Sequence, residues 1–220
     1  MDTITDEVIN YILRDVSLRR SLTRGYINTR ALAKYIQTQL HLSCSIDAVI
    51  TAIRRFQEKH EFKDDIKNIY RQIACVKFTS RSGMCSLLLK KTKDVRENLE
   101  NINNKVNVNN GEVIRHFEVS QYIKIIVDIS NLTKIIEFFK KTDIIKVEKN
   151  LCEIILMFEK DIGDTPGIFA VLSSEFAMNQ VSIRDTLVCG SEQIILLDQK
   201  NLLASLQILN TIVVWAEKTK

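Results

Sequence analysis

The sequence predicts an α+β chain, with helices alone at the start and strands and helices interleaved after them. Three observations carry this. Up to residue 58 apolar residues recur at helical steps of three and four, without strand-like alternation. From residue 83 the period changes, and short β-branched runs alternate with amphipathic ones in the order β-α-β-β-α-β. From residue 151 that order begins again, an internal repeat. The expected architecture is a helix-turn-helix-like helical domain at 1–72, followed by tandem ferredoxin-like βαββαβ units at 73–149 and 150–220.

In "DEVINYILRDVSL" Val8, Ile12 and Val16 share one helix face, with Ile9 and Leu13 beside them, and Gly25 is placed to stop the helix. "RALAKYIQTQL" follows, with Asn28 or Thr29 as cap and Leu32, Tyr35, Ile36 and Leu40 inward. Ser45 then caps a helix with Ile46, Val49, Ile50, Ile53 and Phe56 on its core face. "YRQIACVKF" offers a strand. In the second segment, 83–91, 111–120, 122–130 and 143–149 read as strands. The runs 92–106 and 131–142 read as helices capped by Thr92 and Asn131. In the third, 151–161, 181–190 and 191–199 read as strands and 168–179 and 201–212 as helices. "VVWAEK" is either a closing strand or a continuation of the last helix.

The one proline lies in "DIGDTPGIF", residues 161–169, between a strand and a helix. Backbone N–H groups at a helix start are unpaired and carry partial positive charge. Pro166 suits the first helical position, Asp164 is placed to cap, and Gly167 lets a ligand or a neighbouring backbone approach closely. Such a turn suits an amino acid, its carboxylate on N–H groups and its amine near an acid.

"RALAKYIQTQLHLSCSIDAVITAIRRF" resembles the bihelical core of winged-helix and related DNA-binding domains. The resemblance implies a groove-entering helix from Ser45, with Ser45, Thr51, Arg54 and Arg55 as DNA contacts and Ser43 and Asp47 exposed beside them. Arg54 and Arg55 come late in the helix, which favours phosphate contact. A small helical bundle that only packs or docks has the same pattern.

"ILMFEKDIGDTPGIFAVLSSEFAMNQVSIRDTLV", followed by "QIILLDQKNLLASLQIL", resembles the ACT domain over residues 151–215. This small ligand-binding module accompanies many enzymes and regulators of amino-acid metabolism. The resemblance implies a site where two ACT units meet, lined by Asp164, Thr165, Gly167 and Ile168 of the turn and by Ser182 of "VSI". Many relatives carry asparagine at the position of Ser182. Residues 83–149 share the element order without the Pro-Gly turn and read as a degenerate unit that completes an eight-stranded sheet or a shared interface. A helical domain ahead of ACT-like units resembles predicted archaeal regulators of amino-acid metabolism.

Net charge is +3 over residues 1–63, +5 over 64–150 and −4 over 151–220, so the last third is chemically distinct. Five scattered cysteines without a Cys-x-x-Cys pair read as free thiols in a reducing compartment. Neither zinc spacing, a signal peptide nor a membrane-length apolar run is present, and a cytoplasmic chain without metal or cofactor is expected. The common nucleophile, phosphate-loop and zinc-protease motifs are missing, so an enzyme is not expected. The expected function is an amino-acid-responsive regulator, working as a homodimer, whose effector controls DNA binding by the helical domain. The alternatives are a regulatory protein that docks on an enzyme and a ligand-free interaction module.

Overall fold

The computed structural model describes residues 3–59, 66–103 and 111–218. The chain divides into two compact units, Met1–Ile66 and Lys67–Lys220.

The first unit holds α1 (Ile4–Arg14), α2 (Val16–Thr23), α3 (Thr29–Gln39) and α4 (Ile46–Lys59). Where the sequence suggests one opening helix there are two, because Asp15 interrupts it. Asp15 has extended backbone angles, and its carboxylate accepts the N–H groups of Ser17 and Leu18 at 2.8 and 3.1 Å. The break turns Val16 outward, and Tyr35, expected inward, is exposed as well. Asn28 caps α3 through the N–H groups of Arg30 and Ala31, and Ser45 caps α4 through Ala48. Val8, Ile12, Leu32, Ile36, Ile53 and Phe56 form the centre of the core.

The second unit begins at Lys67, within α5 (Ile66–Ile73), so the boundary falls six residues ahead of the one expected at 72. There follow β1 (Lys77–Lys90), α6 (Lys93–Asn103), β2 (Ile114–Glu118), β3 (Tyr122–Asp128), α7 (Leu132–Ile136), β4 (Ile144–Met157), α8 (Ile168–Met178), β5 (Ile183–Cys189), β6 (Glu192–Asp198) and α9 (Leu202–Lys218). The part of the expected 92–106 helix beyond residue 103 lies outside the described residues. Thr92 caps α6 through the Val95 N–H at 3.2 Å, whereas Asn131 makes no capping bond and is buried.

The six strands of the described residues form one antiparallel sheet, β2-β3-β1-β4-β6-β5, in place of an eight-stranded one. The expected boundary at 149/150 runs through the middle of β4, which pairs with β1 along most of their lengths. The C-terminal part of β1 and the N-terminal part of β4 belong with β2 and β3. The remaining parts of both strands belong with β5 and β6. Residues 77–81 of β1, paired with 153–157, thus hold the edge position that "VVWAEK" was one candidate to fill. With that place taken, α9 continues to Lys218 and buries Ile212 and Ala216 on the same face as Leu209.

Where the two halves meet, β1 and β4 each carry an extra residue, next to Gly83 and Asn150 with φ of 71° and 57°. Each bulge shifts the in-out alternation by one, so one sheet face stays continuous across the junction. On the opposite face of the first half, Cys85, Leu87, Leu89, Ile123, Ile125 and Val127 pack under α6 and α7. The continuous face carries Met84, Ile126, Leu151 and Leu196, drawn from both halves. Across this face Lys124 of β3 meets Asp185 of β5. Four strand spacings in a flat sheet would separate them by about 19 Å, beyond the reach of the two side chains. The sheet is therefore folded over, closing the two halves on this face. Arg115 of β2 likewise reaches Glu153 of β4 with two hydrogen bonds, at 3.0 and 3.2 Å. Glu153 is completely buried.

Candidate functional site

The turn between β4 and α8 is built by its own backbone. Asp161 accepts the Gly163 N–H at 2.8 Å, and residues Ile162–Asp164 make a single 3-10 turn closed by the Thr165 N–H on the Ile162 carbonyl. The Phe158 N–H donates to the Ser191 carbonyl at 2.8 Å and the Ile162 N–H to the Gly190 carbonyl at 3.2 Å, so the turn rests on the β5–β6 hairpin.

The helix starts two residues later than a proline at its first position requires. Gly167 is the N-cap, with φ 102°, and no side chain caps α8. Pro166 precedes the cap, and Asp164 is exposed without a capping bond. The left-handed glycine changes the chain direction here, and Asp161 takes the organising role expected of Asp164. Thr165 and Ile168 are buried, and Gly167 is half-buried.

What covers Gly167 is α5. A Cβ placed on Gly167 would lie 2.9 Å from Ile69 Cδ1, and Ile69 is itself buried. Gly167→Ala adds this clash to a backbone angle that L-residues rarely adopt, with an expected cost of about 1–3 kcal/mol. Ile69→Ala removes a buried side chain and should itself cost about 2–5 kcal/mol, but it also relieves the clash, so the double variant should lose less in urea unfolding than the two single losses added together.

Ser182 does not join the turn. It is exposed just before β5, whose far end carries the hairpin under the turn. The eleven residues of α8 lie between, about 16 Å of helix. Within one chain Asp164, Thr165, Gly167 and Ile168 are contiguous, and Ser182 stands at the other end of the helix.

Ser45, Thr51, Arg54 and Arg55 are all exposed on α4 or at its start. Two of the hydroxyls already have backbone partners: Ser45 caps the helix, and Thr51 donates to the Asp47 carbonyl at 2.8 Å. Arg54 and Arg55 are the charged members of this set.

Other polar groups hold the frame. Arg184 grips Asp198 with two hydrogen bonds, at 3.0 and 2.9 Å, and these hold the Asp198 carboxyl below its usual 3.8. A carboxylate with a depressed folded value contributes stability above its unfolded value and loses it as pH falls through the folded one. The stability gap between the wild type and Asp198→Asn should therefore be full at pH 7 and close as pH drops below 3.8. An open cleft of about 640 Å³ beside α6 contains Lys91, Arg96 and His116, but Lys91 and Arg96 both pair with Glu118, at 2.7 and 3.2 Å. Burial pushes the Cys85 and Cys152 thiols up to about 11, whereas Cys189 is exposed. Thiol reagents at neutral pH should modify Cys189 well before either buried thiol, as peptide mapping would show. Among the described residues no group of three or more His, Cys, Asp or Glu is placed to hold a metal ion, and no helix is long and apolar enough to cross a membrane.

The sequence matches no protein-family model and no curated protein. Solved structures do match. Aspartate kinase from Clostridium acetobutylicum aligns with 62% of this chain and 34% of its own length, at 14% identity and a TM-score of 0.52. Aspartate kinase from Synechocystis aligns with 63% and 27%, at 17% identity and 0.51. The regulatory subunit of aspartate kinase from Thermus flavus aligns with 61% of this chain and 95% of its own length, at 9% identity and 0.50. The fold is of the ACT type. At these identities the likeness is one of fold, and the chain spans about a third or less of either whole kinase.

Sequence reasoning missed α5 and the polar pairs across the folded sheet. For the halves themselves a signal was present. "DISNL" at 128–132 and "DQKNL" at 198–202 both run from a strand end through a 3-10 turn into a helix.

Proposed function

We propose that this chain is an amino-acid-responsive regulator. In this reading the two sheet halves are ACT-type units, and an amino acid or related molecule binds at the Asp-Thr-Pro-Gly turn. The helical unit passes the signal to DNA, as a transcriptional regulator does. The observation that carries the reading is the turn: a left-handed, half-buried glycine opens an α8 that has no side-chain cap, in an ACT-type fold. Unclaimed N–H groups at such a start suit a carboxylate. A homodimer completes the site, because a second copy is able to bring its Ser182 to the turn that the first copy's Ser182 does not reach. Ligand binding then changes how copies pair, provided the ligand prefers one pairing.

A second reading has the chain dock on an enzyme of amino-acid metabolism. Its support is the outer surface of α8 and α9. Met178, Leu203 and Trp215 are exposed there, 78%, 76% and 58%, and no charged residue occurs from 201 to 216. A surface of this kind is characteristic of protein interfaces.

Thermal melting against the twenty amino acids tests the sensor reading: a ligand specific for the folded state raises the midpoint at saturation, and no shift with any of them contradicts it. Titration of duplex DNA at several salt concentrations separates the two readings. A transcriptional regulator binds with strong salt dependence, and replacing Arg54 and Arg55 by alanine should reduce the salt slope by about 2. Undetectable binding at low salt favours docking on an enzyme.

A further inference from the structure

We infer that Ile69 is a built-in occupant of the Asp-Thr-Pro-Gly turn, and that a free branched aliphatic amino acid competes with it for that place. The inference rests on the reading of this turn as a ligand site. The geometry behind it is independent of that reading. Ile69 is 3% exposed, and its Cδ1 fills the space over Gly167 that any other residue's Cβ would enter. The group seated where a ligand would approach the glycine is thus the end of a branched aliphatic side chain. Free isoleucine, leucine and valine carry the same kind of group.

The helix that delivers it is short and held by its packing. α5 has eight residues, too few to be stable alone, and it depends on burying Ile69, Gln72 and Ile73. Short elements of this kind open locally at a fraction of the global unfolding free energy. Once α5 has lifted, the turn offers what an amino acid needs beyond an apolar slot: uncapped N–H groups of α8 for its carboxylate and the exposed Asp164 carboxylate for its ammonium group. In sequence α5 lies between α4 and β1, so its release lengthens the tether between the two units. The side chain that keeps the turn closed is thereby the one whose displacement reports ligand to the rest of the chain. The observed affinity is the intrinsic one reduced by the fraction of molecules with α5 lifted.

The test is calorimetric titration of isoleucine into the full chain and into Ile69→Ala, with lysine and aspartate as comparison ligands. Backbone hydrogen exchange of residues 66–73 is followed in the wild type with and without isoleucine. The expected result is isoleucine binding at least about tenfold tighter in the variant, and faster exchange in 66–73 when the wild type is saturated. Equal or weaker affinity in the variant overturns the inference, as does unchanged exchange in 66–73 with isoleucine bound. If Ile69→Ala does not fold, the wild-type exchange decides. Binding of lysine or aspartate without isoleucine overturns the inference and leaves the sensor reading standing. Binding of none of the three by either protein overturns the inference, and a melting screen without a shift for any of the twenty removes the sensor reading as well.

Discussion

Replacing Arg115 by alanine is expected to destabilise the sheet unit by about 3–5 kcal/mol, the cost of stripping a buried carboxylate of its main partner. Glu153 is 0% exposed, and Arg115 supplies two of its hydrogen bonds. The remaining cation, Arg81, stands 3.7 Å away and also serves Asp128. Arg115→Lys should be costly as well, since an ammonium group cannot reproduce the two-pronged contact. Removing both charges together, as in Arg115→Met with Glu153→Leu, should recover most of the loss, because a well-packed apolar pair is often as stable as a buried ion pair. Urea unfolding followed by far-ultraviolet circular dichroism measures all of these. A loss below about 1 kcal/mol for Arg115→Ala would mean that water reaches Glu153 and that the sheet is less tightly folded over than described.

Phe176→Ala should cost a similar amount, about 3–5 kcal/mol, by opening a cavity beneath α8. α8 is apolar on most of its circumference, so amphipathicity alone does not fix its rotation. Phe176, Leu172 and Ile168 do so, all buried on one side, and the Val181 N–H bonded to the Phe176 carbonyl at 2.9 Å holds the helix end. Met178, two residues further on, is 78% exposed, and Met178→Ala should change stability by less than about 0.5 kcal/mol. The contrast between two large apolar residues on one helix is the useful readout. Comparable losses would show that the outer face of α8 is covered in solution by a second copy, whereas the enzyme-docking reading leaves it open in the isolated chain.

Much of this fold was legible because its elements follow local rules. The order of strands and helices from residue 83 onward came from period alone, and Thr92, Asn28 and Ser45 cap where capping chemistry places them. What period cannot supply is which strand lies beside which. "DIIKVEK" and "LCEIILMFE" read as separate strands, yet Asn150, in a left-handed conformation, lets the chain pass between them without leaving the sheet. Residues 77–81 then fill an edge that local reading left to the C-terminus. The pairs Arg115–Glu153 and Lys124–Asp185 span 38 and 61 residues and follow from the folding of the sheet, which no local pattern encodes. At the turn, the proline rule put the helix start two residues early, at 166, although the periodic run was read from 168. Ile69, nearly a hundred residues before the turn it covers, was missed. The spacing of Ile66, Ile69 and Ile73 signals an amphipathic helix, but says nothing of what that helix covers.

The proposed regulation depends on an amino acid binding against Gly167. Backbone hydrogen exchange of residues 161–170 in the full chain, with and without a saturating amino acid from the melting screen, tests it most directly. Exchange there should slow on binding, centred on the first N–H groups of α8. Binding that leaves the exchange of 161–170 unchanged, with protection appearing elsewhere, would contradict it.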